Sequence, residues 1–406
     1  MTRKGNISGG DTMAERRVYI DYNATTPLRA EVKAAMISDL DVFGNASSMH
    51  ASGRLAHAKV EEARAAVASL LGASPADIIF SSGGSESNNT LFETFRRLAS
   101  GADGSPLEDG RNEFIISAIE HPCVLNSAEH ARSLGFKVTL VPVDEYGKIE
   151  MEALKSALSE KTLFASIMMA NNEIGTVQDM KEIVRLVKEA GAFIHTDAVQ
   201  AVGKIPVNVA ELGVDYLTMS AHKIYGPKGV GALYAKKGAP LFALIHGGHQ
   251  ENGLRAGTYN NMGILGFGKA AELASCDLGE YQRKTFSLRT KLMDNLSQKI
   301  PNIKINGHPV DTLPNTLNVS FPGAEGEAIL LSMDLAGIEA STGSACASGS
   351  LEPSHVLMAT GIGPELAHGS IRFSLGWGTS DDDVDYIIET LPPIIERLRA
   401  MSTVEQ

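Results

Sequence analysis

The sequence predicts an α/β fold with a mostly parallel central sheet and a smaller second unit. Short apolar runs alternate with helical stretches through the first two thirds of the chain, and a long charged helix opens the last third. The chain has 406 residues, of which 43% are hydrophobic, so it is long enough to bury a core in each of two units.

Glycine and polar residues separate the predicted helices and strands of the first unit. Alanine and apolar positions recur at helical spacing over residues 52–71, and Gly72 follows where a helix end favours a left-handed residue. A second helix is predicted over residues 181–190. The apolar runs that predict strands cover residues 78–80, 114–117, 138–141, 163–169, 192–194 and 216–219. The polar residues 100–110 predict a surface loop.

The second unit begins near Leu278. A charged helix over residues 280–299 leads through Pro301 into apolar runs at 303–305 and 316–320, which predict two further strands. The first dozen residues have no apolar stretch of the kind an export signal needs, so the N-terminus is interpreted as a flexible tail.

Composition excludes several classes of function. The formal net charge is -12 and the pI is about 5.4, so the chain lacks the positive field that nucleic acid or anionic lipid would require. No apolar run reaches the roughly 18 to 20 residues that span a bilayer. Three cysteines at Cys123, Cys276 and Cys346 are too few for a disulfide framework, which favours a reducing cytoplasm. We therefore expect no nucleic-acid or membrane partner.

Polar side chains follow five of the predicted strands. Ligands of open parallel sheets bind outside the carboxyl ends of the strands, so these residues are expected to meet at one edge. The groups that follow the strands are residues 81–86, Glu120 with His121, residues 171–173, Asp197 with Gln200, and residues 220–223.

The turn formed by Gly83, Gly84 and Ser85 is a candidate phosphate site. Its backbone amides open a helix, where partial positive charge and unsatisfied donors favour an anion. By itself the motif is weak, because a glycine turn with a serine is more often a structural helix start.

Asp197 and Lys223 end two successive strands, an arrangement that suits a pyridine-ring cofactor. The carboxylate can hold the ring nitrogen protonated while the lysine amine bonds the cofactor covalently. An arbitrary Asp and Lys would more often be a helix cap and a surface charge. Ser220 and His222 beside the lysine favour the cofactor, because both can reach a phosphate.

Three further groups are weighed individually. His121 is either a stacked or proton-transferring group near the ring or a satisfied core histidine. His246 and His249 lack a carboxylate or cysteine at usable spacing, so no metal site is predicted. Cys346 lies in a run of small polar residues that predicts a mobile, exposed thiol suited to a nucleophile.

Taken together, nine motifs closely resemble the cysteine desulfurases of the NifS/IscS type, within the class V aminotransferases. They run in the family's order from about residue 18 to 380. The motifs are YNATTP (22–27), NASS (45–48), SESNN (85–89), NEIG (172–175), HTDAVQ (195–200), HKIYGPKG (222–229), RAGT (255–258), GSAC (343–346) and LEPSH (351–355).

The resemblance implies a fold and a division of the chain. The fold is that of pyridoxal-phosphate enzymes of fold type I, related to aspartate aminotransferase, as a homodimer. Residues 1–17 are then a flexible tail, residues 33–280 the large cofactor-binding domain, and residues 18–32 with 281–406 the small α+β domain that carries the Cys346 loop. Pro122 and Cys123 after His121 depart from the usual family pattern.

The resemblance also implies roles for individual residues. Lys223 is similar to the Schiff-base lysine, and Cys346 and His121 are the other expected catalytic residues. Asp197 partners the ring nitrogen and Gln200 the ring hydroxyl, and His121 and Asn172 also contact the cofactor. Asn172, Arg372 and Asn45 bind the substrate. The phosphate is assigned to Gly84, Ser85, Ser220, His222 and, across the dimer, Thr258.

The implied reaction removes sulfur from L-cysteine, releases L-alanine and leaves a persulfide on Cys346. The persulfide would pass to an iron–sulfur scaffold or another acceptor protein, with Cys346 at most a transient ligand of a cluster and no resident metal. Two alternatives stay open: a selenocysteine lyase or other pyridoxal-phosphate lyase on the same fold, and a non-catalytic assembly scaffold. The presence of Lys223 argues against the scaffold.

Overall fold

The computed structural model of the chain describes residues 16–100, 110–342 and 352–401. The predicted N-terminal tail up to residue 15, most of the loop predicted over residues 100–110, and Cys346 lie outside the described residues. No helix among those described is long and apolar enough to cross a membrane.

Strands and helices alternate through the first two thirds of the chain. The strands are β1 (Val18–Tyr19), β2 (Ile78–Ser81), β3 (Glu113–Ser117), β4 (Lys137–Val141), β5 (Thr162–Ser166), β6 (Phe193–Asp197), β7 (Tyr216–Ser220), β8 (Gly231–Ala235), β9 (Lys304–Asn306), β10 (Thr316–Ser320), β11 (Ile338–Glu339) and β12 (Ser370–Ser374). The helices are α1 (Ala30–Ser38), α2 (Ala51–Leu71), α3 (Gly84–Ser100), α4 (Pro122–Ser133), α5 (Met151–Ala157), α6 (Met180–Glu189), α7 (Val209–Leu212), α8 (Asn261–Lys299), α9 (Gly326–Leu335), α10 (His355–Ala359), α11 (Pro364–His368) and α12 (Asp381–Met401).

The central sheet has seven strands in the order β2-β8-β7-β6-β5-β3-β4. Every strand is parallel to the others except β8, which lies antiparallel between β2 and β7. The predicted mixed, mostly parallel α/β sheet is therefore confirmed. Strand β8 was not predicted, because its five residues are all buried and carry no alternation that separates a strand from a loop in the sequence.

Apolar side chains cover both faces of this sheet. On β3, Ile115 packs into one cluster and Phe114 with Ile116 into another, as the two-residue repeat of a strand requires. Helices α2, α6 and α8 supply the first cluster, and α3 and α4 the second. Helix α2 ends as predicted at Gly72, which has a left-handed φ of 65°.

A separate core forms around the antiparallel sheet β12-β10-β9. Val319 of β10 and Ile371 of β12 pack in one apolar cluster with side chains of α9, α12 and the second half of α8. Val18 and Ile20 join the same cluster, because β1 pairs with β11. The start of the chain therefore packs with its last third. The predicted limit at residue 280 falls inside α8, which is one continuous helix of 39 residues. The domain limits themselves stay a prediction.

Candidate active site

A cavity of about 340 Å³ opens at the carboxyl ends of the parallel strands. Its volume is within the usual range for a small-molecule site, and it gathers most of the side chains that the sequence predicted. The lining residues are Asn23, Ala24, Gly84, Ser85, His121, Cys123, Met168, Asn172, Asp197, Val199, Gln200, Ser220, His222, Lys223 and Arg372. A larger cavity of about 790 Å³, between the ends of α8 and α12, holds none of the predicted residues.

One end of the cavity is a cradle made of backbone. Helix α3 begins at Gly84, directly after Gly83, whose φ of 155° disfavours any residue with a side chain. A Cβ at Gly83 would point towards the Ser220 hydroxyl, 3.9 Å away, and a Cβ at Gly84 would lie 3.1 Å from a Val199 methyl group. Side chains at these positions would fill the space between the helix start and β7, so the glycines keep it open for an anion.

Lys223 lies one turn beyond β7, at the end of a short 3-10 helix. Its amine donates to the carbonyl oxygens of Asn23 at 2.5 Å and Ala24 at 2.7 Å. The chain then turns through Tyr225, which has a left-handed φ of 67° and whose backbone N–H donates to Thr26 Oγ1 at 2.9 Å. The N-terminal segment thus holds both the lysine amine and the strained turn that follows it.

Asp197 ends β6 and is almost completely buried, with 5% exposure. Its Oδ2 atom accepts a hydrogen bond from Asn88 Nδ2 at 2.8 Å, and its Oδ1 atom accepts one from the Val199 backbone at 3.0 Å. These two donors fix the orientation of the carboxylate, which lines the cavity and is the acidic group available to a facing ring nitrogen.

His121 caps the start of α4 through its ring. The Nδ1 atom accepts a hydrogen bond from the Cys123 backbone N–H at 3.2 Å and lies 3.0 Å from the Cys123 sulfur. Because Nδ1 is the acceptor, the proton of the neutral ring is on Nε2. Burial lowers the pKa of His121, which the nearby Asp197 partly offsets, so the neutral form is favoured.

Burial has opposite effects on two other side chains of the cavity. It lowers the pKa of His222 to about 4, with Lys223 adding to the effect, and leaves the ring as a neutral hydrogen-bonding group. It raises the pKa of the Cys123 thiol to about 12, because the thiolate would be buried and close to Asp197. Cys123 is therefore inert at neutral pH.

The comparisons with known proteins agree with this geometry. The profile of the family described as Aminotransferase class-V matches residues 18–387. The chain belongs to the class-V aminotransferase family. It is 49% identical to the cysteine desulfurase IscS of Dictyoglomus turgidum, over 97% of this chain and 98% of the relative. The resemblance to the NifS/IscS type is confirmed.

Solved structures of other proteins have the same fold. A NifS-like protein has a TM-score of 0.87 at 38% identity, covering 94% of this chain and 100% of the solved chain. A structure described as SspA in complex with cysteine has a TM-score of 0.76 at 33% identity, covering 88% of this chain and 98% of the solved one.

Class-V aminotransferases depend on pyridoxal phosphate, and the residues present fit that cofactor. The cavity offers an amine at Lys223, a buried carboxylate at Asp197, and the glycine cradle beside Ser220 that a Cβ would fill. These are the three groups that the aldehyde, the ring nitrogen and the phosphate require.

Arg372 and Asn172 lie on the opposite side of this class-V site, next to the small sheet. Arg372 extends from β12, and its guanidinium donates through Nη2 to Asp21 at 2.7 Å and through Nη1 to the Asn172 carbonyl at 3.0 Å. Protein groups thus hold the guanidinium in place. Its two terminal nitrogens were predicted to bind a substrate carboxylate, but one of them donates to Asp21.

Three predicted site residues are not among those lining the cavity. Asn45 is exposed, and its side-chain oxygen accepts a hydrogen bond from the backbone N–H of Ser47 at 2.9 Å. Thr258 is also exposed. Cys346 lies outside the described residues. The roles assigned to all three stay predictions. No group of three or more potential metal ligands occurs in the described part of the chain.

Sequence reasoning missed the residues that support the predicted ones. Asn23 and Asn88 were noted only inside longer motifs, although they contact Lys223 and Asp197 respectively. Lys204 was missed altogether. A signal existed for Lys204, because it is the single charged residue in the mostly apolar residues 198–207. In the structure it is 2% exposed.

Proposed function

We propose that the chain is a cysteine desulfurase that uses pyridoxal phosphate to take sulfur from L-cysteine, release L-alanine and hold the sulfur as a persulfide on Cys346. The observation that carries the proposal is the meeting of Lys223, Asp197 and the glycine cradle in one cavity. Sequence identity of 49% to a relative named cysteine desulfurase supports the substrate, as does the cysteine bound by the related SspA structure.

The bound cofactor supplies an electron sink that acidifies the α carbon of an attached amino acid. Around it, the Asp197 carboxylate would keep the ring nitrogen protonated, and the Gln200 amide would face the ring oxygen. Gly84, Ser85, Ser220 and His222 would hold the phosphate. The Lys223 amine would be the base that removes the α proton of the substrate, and the carbonyls of Asn23 and Ala24 hold that amine at the cavity.

The sulfur step joins two thiols. The Cys346 thiolate attacks the sulfur of L-cysteine, an S–S bond forms as the substrate C–S bond breaks, and the bonding electrons return through the substrate to be protonated as alanine. His121 lines the cavity, and its Nδ1 atom accepts from the Cys123 backbone, so the proton of the neutral ring is on Nε2. It is the group placed to exchange protons with the substrate thiol.

Substrate orientation is assigned to the Arg372 side of the cavity. Arg372 is 2% exposed, and its guanidinium is fastened to Asp21 and to the Asn172 carbonyl, so its position at this side of the cavity is fixed before a substrate binds. Asn172 and Asn45 are the further substrate contacts that we assign.

We assign the chain to a homodimer and to sulfur delivery for iron–sulfur assembly. Large apolar side chains are exposed close together in the sequence, including Phe43 at 83% and Met49 at 90%. Exposed Thr258 would reach the phosphate of a second subunit from the same assembly. The persulfide then passes to an iron–sulfur scaffold or another acceptor. A reducing cytoplasm would keep the Cys346 thiol free.

The test is persulfide formation on purified protein. Reconstituted protein is expected to be yellow, to lose that colour with borohydride, and to release alanine from L-cysteine. The Cys346→Ser variant should keep the colour and release no alanine, while Cys276→Ser, which removes an exposed thiol, should behave as the parent. Full turnover by the Cys346→Ser variant would contradict the assignment, and colourless protein after reconstitution would favour the scaffold.

A further inference from the structure

Lys204 is a buried lysine whose amine is bonded to amide oxygens. The residue is 2% exposed and its side chain is among the largest that are fully buried. The amine donates to Asn23 Oδ1 at 2.8 Å and to Gln200 Oε1 in a short hydrogen bond, and no described carboxylate forms an ion pair with it. A buried lysine is rare without an acidic partner, so its surroundings must compensate in another way.

Those surroundings favour the neutral amine. Burial lowers the pKa of Lys204 well below its ordinary value, and the positive charges of Lys223 and Arg372 act in the same direction. The amine donates to two amide oxygens, so the buried group has hydrogen-bond partners although no described carboxylate pairs with it.

The hydrogen bond to Gln200 decides which way that amide points. Gln200 Oε1 faces the Lys204 amine, and Gln200 Nε2 donates to the Asn23 carbonyl at 2.9 Å. The reversed amide would lose the bond from the Lys204 amine to Gln200 Oε1 and would set an acceptor against the Asn23 carbonyl oxygen. Only one orientation satisfies both neighbours, and it leaves the second Nε2 hydrogen for the cavity that Gln200 lines.

The local backbone brings the two side chains together. After β6 the chain turns in a helical manner, with the backbone N–H groups of Val202 and Ile205 bonded to the carbonyls of Ala198 and Ala201. Positions four residues apart lie on one face of such a turn, so the Lys204 and Gln200 side chains contact each other. Gln200 lines the cavity and Lys204 does not.

We propose that Lys204 is a positioning residue that locks the Gln200 amide with an N–H towards the ring oxygen of the cofactor. The inference rests on the proposed function and deepens it. A hydrogen bond to an ionised ring oxygen stabilises the deprotonated form, so Lys204 lowers the pH midpoint of the cofactor's absorbance change by acting through Gln200.

The experiment measures that midpoint in the holoprotein by spectrophotometric titration. Lys204→Met keeps the length of the side chain and removes the donor, and it should raise the midpoint by about one pH unit. Gln200→Ala should raise it similarly. In the Gln200→Ala background Lys204→Met should add no further shift, because the amide through which it acts is gone.

A second variant separates positioning from packing. Lys204→Gln keeps an N–H donor and should bring the midpoint back towards the parent value, while Lys188→Met, which removes an amine that pairs with Asp215 outside the cavity, should leave it unchanged. The proposal is overturned if Lys204→Met leaves the midpoint where it was, if it shifts the midpoint equally with and without Gln200, or if Lys204→Gln matches Lys204→Met.

Failure of the proposed function would look different. In that case the parent protein itself would show no cofactor absorbance and release no alanine. With a yellow, active parent, the midpoints of the Lys204 variants decide this inference alone.

Discussion

The Lys223 amine lies 2.5 Å from the backbone carbonyl of Asn23, a residue 200 positions earlier in the chain. Asn23 is 1% exposed, and its side chain bonds Lys204, Asn315 and Thr316. One asparagine therefore connects the lysine of the large sheet with β10 of the small sheet. Its backbone contacts Lys223, while its side chain holds that backbone in place.

We expect Asn23→Ala to destabilise the protein by about 2 to 4 kcal/mol, because it leaves buried donors on Lys204 and Asn315 with fewer acceptors. Urea unfolding of the holoprotein measures the loss. Asn295→Ala is the matched control, because its side chain makes one hydrogen bond, to the Lys291 carbonyl within α8. Equal losses for the two variants would contradict the role given to Asn23.

Asn88→Ala should weaken cofactor binding about tenfold, because Asp197, which we propose as the partner of the ring nitrogen, loses a donor that orients its carboxylate. Equilibrium dialysis of the cofactor against the variant and the parent gives the ratio. The Asn295→Ala protein again serves as control. An unchanged dissociation constant would mean that Val199 alone holds the carboxylate.

Cys123 and Cys276, the two cysteines in the described part of the chain, should differ sharply in reactivity. The Cys123 thiol has a pKa raised to about 12, so at pH 8 only about one molecule in ten thousand carries a thiolate there. Cys276 is exposed. Brief alkylation followed by peptide mass spectrometry should label Cys276 and leave Cys123 unmodified until the protein is unfolded. Labelling of Cys123 at the rate of Cys276 would refute the burial argument.

Glu120 should make stability depend on pH. It is fully buried, its Oε2 atom has no partner among the described residues, and burial together with Asp197 raises its pKa well above the ordinary value. The folded protein therefore binds this proton more tightly than the unfolded chain. The stability that the proton contributes is complete below the ordinary glutamate pKa and is lost as pH rises towards the folded pKa.

Glu120→Gln removes that dependence. Its unfolding free energy should improve relative to the parent as pH rises above about 4.3, by at most about 1.4 kcal/mol per pH unit. Denaturant unfolding at several pH values measures the difference. Glu152→Gln, at an exposed position in α5, should show no such trend. A constant difference across the range would show that Glu120 is ionised in both states.

Much of the fold was predictable because the apolar residues that become buried recur in the sequence with the period of a helix or a strand. The strand over residues 316–320 and the helix ending at Gly72 were predicted correctly from apolar spacing and glycine alone. Strand β8 and the true length of α8 were not, because a short buried strand has no repeat and an amphipathic helix can continue past a change in composition.

By itself, the sequence determined the fold class, the family and the set of side chains at the carboxyl ends of the strands. Those follow from local spacing and from motifs, which need no knowledge of distant contacts. Only the tertiary structure decided how these side chains are held. Asn23 against Lys223, Asn88 against Asp197 and Lys204 behind Gln200 are the pairs that hold them. All but the last lie far apart in the chain, and hydrogen-bond direction depends on atoms that only folding brings together.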